Sequence, residues 1–179
     1  MIIKDLLPSH QVIKNVINIP YNNIGELFYA KYQETPGKIF LICPGNNEDS
    51  VTFENFYKKN QFVSNYLIRL GLTKGDRFSL IFSNSLEFLL LYFAGLKLGI
   101  IVVPINPDIA PEEMKFVIED SQSKVVFYQS ELQYKIKRIV TEISPEIMFE
   151  SMQFIPDFIP LLLNGVEIDE SYIPSIELV

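Results

Sequence analysis

The chain has 179 residues, 48% of them apolar, and this length and composition suit one globular domain rather than a disordered segment. Its net charge of −7, without a basic stripe, disfavours a nucleic-acid partner. With one cysteine, Cys43, and one histidine, His10, it can form neither an internal disulfide nor a cluster of zinc-type ligands, and residues 1–10 lack the apolar stretch of a secretory signal, so we expect a cytoplasmic protein.

Apolar periodicity and turn residues divide the chain into alternating helices and strands. In chain order, the predicted elements are a helix at Ile24–Gln33, a strand at Lys38–Cys43, a turn at Pro44–Asn47, a helix from Phe53 to Leu70, a strand at Arg77–Phe82, a helix at Ser85–Leu98, a strand at Ile100–Val103, a turn at Pro104–Asp108, a helix from Pro111 to about Ser121, a strand at Lys124–Tyr128, a helix at Glu131–Ile143 and a short strand at Ile147–Phe149.

Particular residue types mark the ends of the predicted helices. Thr52 is placed to cap the second helix, and Gly71 is placed to end it. Asn84 and Glu87, three residues apart, form a capping pair at the start of the third helix. Pro111 suits the first turn of the fourth helix, where its missing N–H needs no partner.

The longest apolar run, Phe88–Ile105, approaches the roughly 20 residues that cross a bilayer. Lys97 and Pro104 interrupt it, and after Gly99 its composition changes from leucine-rich to β-branched. These features predict a buried helix followed by a buried strand, and not a membrane span.

Three consecutive strand–helix units predict an α/β fold, a three-layer arrangement of a parallel sheet with right-handed crossovers and helices on both faces. Residues 1–150 are expected to form this α/β unit. Residues 151–179 form an acidic segment punctuated by prolines, and the residues from Ile139 to Val179 include no Lys or Arg. Apolar residues between Phe154 and Leu163 are expected to pack against a later part of a complete protein or to form an exposed patch.

Two short stretches resemble phosphate-binding turns. Gly71–Asp76 contains glycines and a lysine, but it follows a helix and precedes a strand, the reverse of the order that aims amide N–H groups at an anion. Ser83–Ser85 does follow a strand and precede a helix, but it lacks glycine. We therefore interpret the first stretch as a helix end and Asn84 in the second as a helix cap.

The other chemically active side chains form no recognisable site. His10 has no nucleophile or acid placed beside it by sequence, and Cys43 ends an apolar strand, as a small buried thiol would. Glu167, Asp169 and Glu170 do not have the spacing of a calcium-binding loop. The residues alone assign no catalytic, cofactor-binding or metal-binding residue.

Three stretches and the helix that follows them, taken in order, resemble the beginning of the adenylate-forming superfamily, which includes acyl-CoA synthetases, luciferases and adenylation domains of peptide synthetases. They are Val51–Phe56, similar to Leu-Thr-Tyr-x-Glu-Leu; Gly71–Phe78 and Ser83–Phe88, similar to the G-x-x-K-G-D-R-V and N-S-x-E-F motifs; Leu96–Pro107, similar to L-K-A-G-x-x-x-V-P-L-N-P; and Pro111–Ser121, similar to the next helix.

The resemblance implies that the parent enzyme activates a carboxylate with ATP and Mg²⁺ and transfers the acyl group to CoA. The family's phosphate-binding loop, ribose-binding Asp and carboxy-terminal lysine have no counterpart in this chain, and Glu177–Val179 resembles the approach to that loop. The resemblance therefore implies a chain that depends on a downstream remainder of the enzyme and is inactive alone.

The form Val-Pro-Ile-Asn-Pro with Asn106 resembles acyl-CoA synthetases, and fatty or other organic acids, more than peptide-synthetase domains. An acceptor that is a carrier protein, a non-catalytic binding module, and an unrelated doubly wound domain remain alternatives. The unrelated domain is distinguished by its strand order, because in it the strand ending at Phe82 should not lie beside the strand at Ile100–Val103.

Overall fold

A computed structural model of the protein describes residues 20–42 and 50–152. The elements in these ranges are, in chain order, α1 (Ile24–Glu34), β1 (Ile39–Ile42), β2 (Ser50–Thr52), α2 (Phe53–Arg69), β3 (Arg77–Ile81), α3 (Leu86–Lys97), β4 (Ile101–Ile105), α4 (Pro111–Asp120), β5 (Val125–Gln129), a 3₁₀ turn (Ser130–Leu132), α5 (Gln133–Ile139) and β6 (Met148–Met152). The predicted order of helices and strands is confirmed, and the short strand β2 is an addition.

Strands β3 to β6 form a parallel sheet in the order β4-β3-β5-β6. Leu80 of β3 lies opposite Pro104 of β4 on one side and Phe127 of β5 on the other. The predicted parallel sheet is confirmed. Strands β3 and β4 are direct neighbours, whereas an unrelated doubly wound domain was expected to keep these two strands apart. Strands β1 and β2 form a separate antiparallel pair.

Alternation along the strands sends side chains to two hydrophobic cores, one on each face of the sheet. One core joins the sheet to helices α1, α2 and α3, and the other joins it to α4 and α5. The first contains Phe28, Phe56, Leu67, Phe78, Leu80, Leu90 and Phe127, and the second contains Ile81, Ile105, Met114, Ile118, Val126 and Ile136. The three-layer α/β fold is therefore confirmed.

Helix α3 packs directly on the sheet at Gly95, which has no side chain. A Cβ added at Gly95 would lie 2.5 Å from Val102 Cγ2 and 2.9 Å from Phe78 Cε1. Gly95 thus fixes α3 over β3 and β4. Gly99 then ends the helix at a φ of 67°, a left-handed conformation that favours glycine, and the peptide N–H of Ile100 donates to the Gly95 carbonyl.

Some predicted boundaries are wrong. Pro104 and Ile105, predicted to lie in a turn, belong to β4, because β4 is an edge strand, where the missing N–H of a proline can face away from the sheet. The predicted helix Glu131–Ile143 ends at Ile139 and begins with the 3₁₀ turn. Strand β6 runs from Met148 to Met152 and is longer than the strand predicted at Ile147–Phe149.

Among the described residues, no helix has the length and apolar character required to span a bilayer. The run Phe88–Ile105 is divided between α3 and β4, as predicted.

Candidate functional site

A cleft of about 400 Å³ opens at the carboxyl ends of β3 and β4. It lies between the turn that leads from β3 to α3 and the turn that leads from β4 to α4. Its lining residues are Phe82, Ser83, Asn84, Phe88, Pro104, Ile105, Asn106, Pro107 and Asp108.

The topology explains why a cleft forms at this position. The chain leaves β3 for α3 on one face of the sheet and leaves β4 for α4 on the opposite face. Adjacent parallel strands whose connections diverge in this way create a crevice at their carboxyl ends, and this is where open α/β sheets bind ligands. The cleft between β3 and β4 is such a switch point, and it is the candidate functional site.

Hydrogen bonds from neighbouring elements hold the rim of the cleft. The Ser83 N–H donates to Gln129 Oε1 at 2.7 Å, which ties the end of β3 to the end of β5. The Asp108 N–H donates to Asn106 Oδ1 at 2.9 Å and closes a local turn after β4. Lys135 Nζ of α5 donates to the Pro107 carbonyl.

The lining combines apolar and hydrogen-bonding groups. Phe82 and Ile105 are buried at its base, whereas Ser83, Asn84 and Asn106 are exposed at its rim. Asp108 is the one charged side chain among the nine lining residues. The cleft can therefore hold a ligand that has an apolar part and neutral hydrogen-bonding groups. No group of three potential metal ligands occurs in the described part of the chain.

The structure separates the functions predicted for Ser83, Asn84 and Ser85. Ser83 and Asn84 line the cleft, but the prediction that Asn84 caps α3 is wrong. The cap is Ser85, whose hydroxyl accepts from the Phe88 N–H at 3.2 Å. The helix begins one residue later than the capping pair suggested because the bond from Ser83 to Gln129 keeps the preceding turn at the sheet edge.

The turn Gly71–Asp76 precedes the amino end of β3, whereas the cleft lies at the carboxyl end of the same strand. Gly71 ends α2 with a φ of 79°, and its N–H donates to the Ile68 carbonyl, as the helix-end interpretation predicted. Asp76 accepts from the Thr73 N–H at 2.8 Å and pairs with Lys124 at 2.7 Å. The bond from Lys124 holds the pKa of Asp76 below its usual value.

Sequence reasoning missed the environment of Lys97, which lies near the end of α3 that is remote from the cleft. Lys97 is 5% exposed, its stem packs on Gly25, and its amine lies 5.7 Å from the centre of the Tyr57 ring. Burial lowers the pKa of Lys97 to about 8. Its position at the end of a long apolar run was the available signal.

The remaining candidates lie outside the described residues. These are His10, Cys43, the turn Pro44–Asn47, the apolar stretch Phe154–Leu163, the acidic residues Glu167, Asp169 and Glu170, and Glu177–Val179.

The sequence is similar to those of several known enzymes. The sequence model of the AMP-binding enzyme family matches residues 28–155. The long-chain-fatty-acid–CoA ligase FadD13 of Mycobacterium tuberculosis is 40% identical over 106 residues, which cover 59% of this chain and 21% of that protein. Tyrocidine synthase 3 of Brevibacillus parabrevis is 28% identical over 114 residues, which cover 64% of this chain and 2% of that protein. The chain spans about a fifth of the length of FadD13.

The fold is similar to that of solved enzymes of the same kind. The N-terminal domain of FACL13 from Mycobacterium tuberculosis matches with a TM-score of 0.74 and 27% identity, over 88% of this chain and 39% of that chain. The resemblance to the amino-terminal segment of adenylate-forming enzymes is confirmed. Since the family match covers more than half of the sequence, the chain belongs to the family of AMP-binding enzymes.

Proposed function

We propose that this chain is the amino-terminal part of an AMP-forming acyl-CoA synthetase that acts on a fatty acid or another organic acid. In the proposed reaction, a carboxylate oxygen attacks the α-phosphorus of ATP, which gives acyl-AMP and pyrophosphate. The CoA thiol then attacks the acyl carbon, which gives acyl-CoA, AMP and a proton. The observation that carries this proposal is the family match over residues 28–155, together with the 40% identity to FadD13.

The residues that line the cleft do not fit the phosphates of ATP. A triphosphate requires cations or several inward-facing amide groups. The lining residues include one carboxylate, Asp108, and neither Lys nor Arg, and the Ser83 N–H is already bonded to Gln129. The groups that hold ATP and Mg²⁺ are therefore assigned to the remainder of the enzyme. ATP, Mg²⁺ and CoA supply the leaving group, the charge neutralisation and the acyl acceptor.

The proposed contribution of this chain is a rigid wall and one cleft. The bond from Gln129 to Ser83 and the bond from Lys135 to the Pro107 carbonyl fix the two turns that form the cleft. Because both turns are fixed from neighbouring elements, the lining is preorganised for a ligand. We expect this chain to form no acyl-adenylate without the downstream remainder.

A carrier-protein acceptor in place of CoA is the second candidate function. The similarity to tyrocidine synthase 3 favours it, because that alignment covers 64% of this chain. The two functions share the adenylation step and differ in the thiol that receives the acyl group. A carrier-protein acceptor predicts that adding CoA leaves the acyl-adenylate unconsumed.

The test uses the complete polypeptide that contains this chain. We expect it to release pyrophosphate from ATP in the presence of Mg²⁺ and a fatty acid, and to form a thioester when CoA is added. A polypeptide that releases no pyrophosphate with fatty, aromatic or amino acids would contradict the proposal.

The 179-residue chain is the matched control. We expect no pyrophosphate release from it, and no heat of binding when it is titrated with ATP and Mg²⁺ in a calorimeter. Clear binding of ATP would place a nucleotide site within residues 1–179 and contradict the assignment of that site to the remainder.

A further inference from the structure

One rim of the cleft, the turn formed by Asn106, Pro107 and Asp108 after β4, has little support from the sheet. We call these three residues the β4 rim. Among the described strands, β4 has β3 as its one neighbour, whereas β3 lies between β4 and β5. Pro104 in the strand and Pro107 in the rim have no N–H, so neither can donate a backbone hydrogen bond. The β4 rim therefore needs support from side chains.

The hydrogen bonds within the β4 rim are local. The Asp108 N–H donates to Asn106 Oδ1 at 2.9 Å, and the Ile109 N–H donates to the Asn106 carbonyl at 3.4 Å. Such bonds give the turn its shape, but they do not fix its position relative to the other side of the cleft.

Lys135 supplies a bond from a distant element. Its Nζ donates to the Pro107 carbonyl, 28 positions away along the chain. Lys135 lies on α5, which is anchored by Ile136 and Ile139, each 3% exposed in the second core. A charged donor also makes a stronger hydrogen bond than a neutral one. Lys135 is not among the residues that line the cleft, so it acts on the cleft through Pro107.

The opposite rim is held from the same part of the chain. Gln129, the last residue of β5, accepts from the Ser83 N–H at 2.7 Å. The 3₁₀ turn Ser130–Leu132 lies between Gln129 and α5. One short segment, from Gln129 to Lys135, therefore contacts both rims and sets the distance between them.

From these contacts we infer that Lys135 is a positioning residue, which holds the β4 rim where the cleft can bind its ligand. The inference rests on the proposed function. Because the lining does not fit the phosphates of ATP, the ligand in the cleft is the acid or CoA, each of which can supply an apolar part. A rim that is free to move must be ordered on binding, and this lowers the affinity for that ligand.

The experiment uses the complete polypeptide and three substitutions on α5. Lys135→Met keeps an unbranched side chain and removes the donor, and Lys135→Arg keeps a cationic donor. Lys137→Met is the matched control, since it removes a lysine from an exposed position of the same helix. The KM for the acid, for CoA and for ATP is measured with kcat for each protein.

We expect Lys135→Met to raise the KM for the acid or for CoA at least about fivefold with little change in kcat, because one hydrogen bond that favours the bound geometry is lost. The substrate whose KM rises is the one that occupies the cleft. The KM for ATP should stay the same, Lys135→Arg should restore most of the affinity, and Lys137→Met should change neither constant. Unchanged KM values in Lys135→Met would overturn the inference, and so would an equal rise in the KM for ATP or in the Lys137→Met control.

Hydrogen exchange measures the position of the rim without any substrate. In the complete polypeptide, the amides of Asp108 and Ile109 should exchange at least about fivefold faster in Lys135→Met than in Lys137→Met. Equal exchange in the two variants would overturn the inference even if the polypeptide is inactive. A polypeptide without activity would contradict the proposed function, whereas an active one with unchanged KM values would contradict the positioning role alone.

Discussion

Replacement of Lys97 by Met measures the cost of burying an amine in the core. Lys97 is 5% exposed and burial lowers its pKa to about 8, whereas the pKa of an unfolded lysine is about 10.4. Folding at neutral pH therefore buries a charged amine that is more stable in water than in the protein interior. The difference between the two pKa values corresponds to a destabilisation of about 3 kcal/mol at pH 7. Met is unbranched and of similar length, so Lys97→Met keeps the packing against Gly25 and removes that cost.

The pH dependence of this effect has a definite sign. Because the folded-state pKa of Lys97 is the lower one, the unfolded chain binds more protons between the two values, and the contribution of Lys97 to stability improves as pH rises from about 8 to about 10.4. Its cost falls from about 3 kcal/mol at pH 7 to about 1 kcal/mol at pH 9.5. The stability advantage of Lys97→Met should decrease by the same amount. Burial also raises the pKa of Tyr66 to about 12. Tyr66 is present in both proteins, so its contribution to the pH dependence cancels when their stabilities are subtracted.

Urea unfolding followed by circular dichroism at pH 7 and pH 9.5 provides the measurement. Lys137→Met, which removes a lysine from an exposed position of α5, is the matched control and should leave the free energy of unfolding nearly unchanged at pH 7. A Lys97→Met chain that is less stable than the original chain at pH 7 would contradict a cost of burying this amine, and so would a stability advantage that is the same at both pH values.

Three further substitutions test packing, capping and charge in the fold. Gly95→Ala should lower the free energy of unfolding by about 1–3 kcal/mol in urea titrations, because the added methyl group would overlap Val102. Gly37→Ala is the control and should be nearly neutral, because no heavy atom lies within 4 Å of the added Cβ. Ser85→Ala should cost about 1 kcal/mol and Asn84→Ala much less, and equal costs would contradict the assigned cap. Asp76→Asn should destabilise the chain at pH 7, because the bond from Lys124 lowers the pKa of the folded Asp76 carboxyl. In unfolding measurements the loss should shrink as the pH falls below about 4, the ordinary value for Asp, because the contribution of the carboxylate is lost as it is protonated.

Local signals in the sequence were sufficient for several of the helix ends and for the fold class. Gly71 and Gly99 end their helices with positive φ values, because glycine without a Cβ adopts this conformation readily. Pro111 begins α4, because its ring fixes φ near the helical value and its missing N–H needs no partner in the first turn. The parallel sheet followed from three strand–helix units in succession, because a parallel pair needs a crossover between its strands.

The parts that could not be predicted depend on contacts distant in sequence. Both Asn84 and Ser85 are good capping residues, and the bond from Ser83 to Gln129, 46 positions away, favours the second. The strand position of Pro104 depends on β4 being at an edge, which requires the order of all four strands. The cleft itself arises where two connections diverge, so its lining comes from two turns that no single motif unites.

The two edges of the sheet differ in their capacity to accept another strand. The Ile101 N–H donates toward β3, so alternation along β4 points Val102 and Pro104 to the open edge, where Pro104 offers no donor. On the opposite side, the Met148 N–H donates toward β5, so Phe149 and Ser151 both present donors to the open edge of β6. A strand added at β4 would lose a hydrogen bond at its centre, whereas one added at β6 would keep a complete ladder. Among the described strands, the edge at β6 is therefore better suited than the edge at β4 to pair with a further strand.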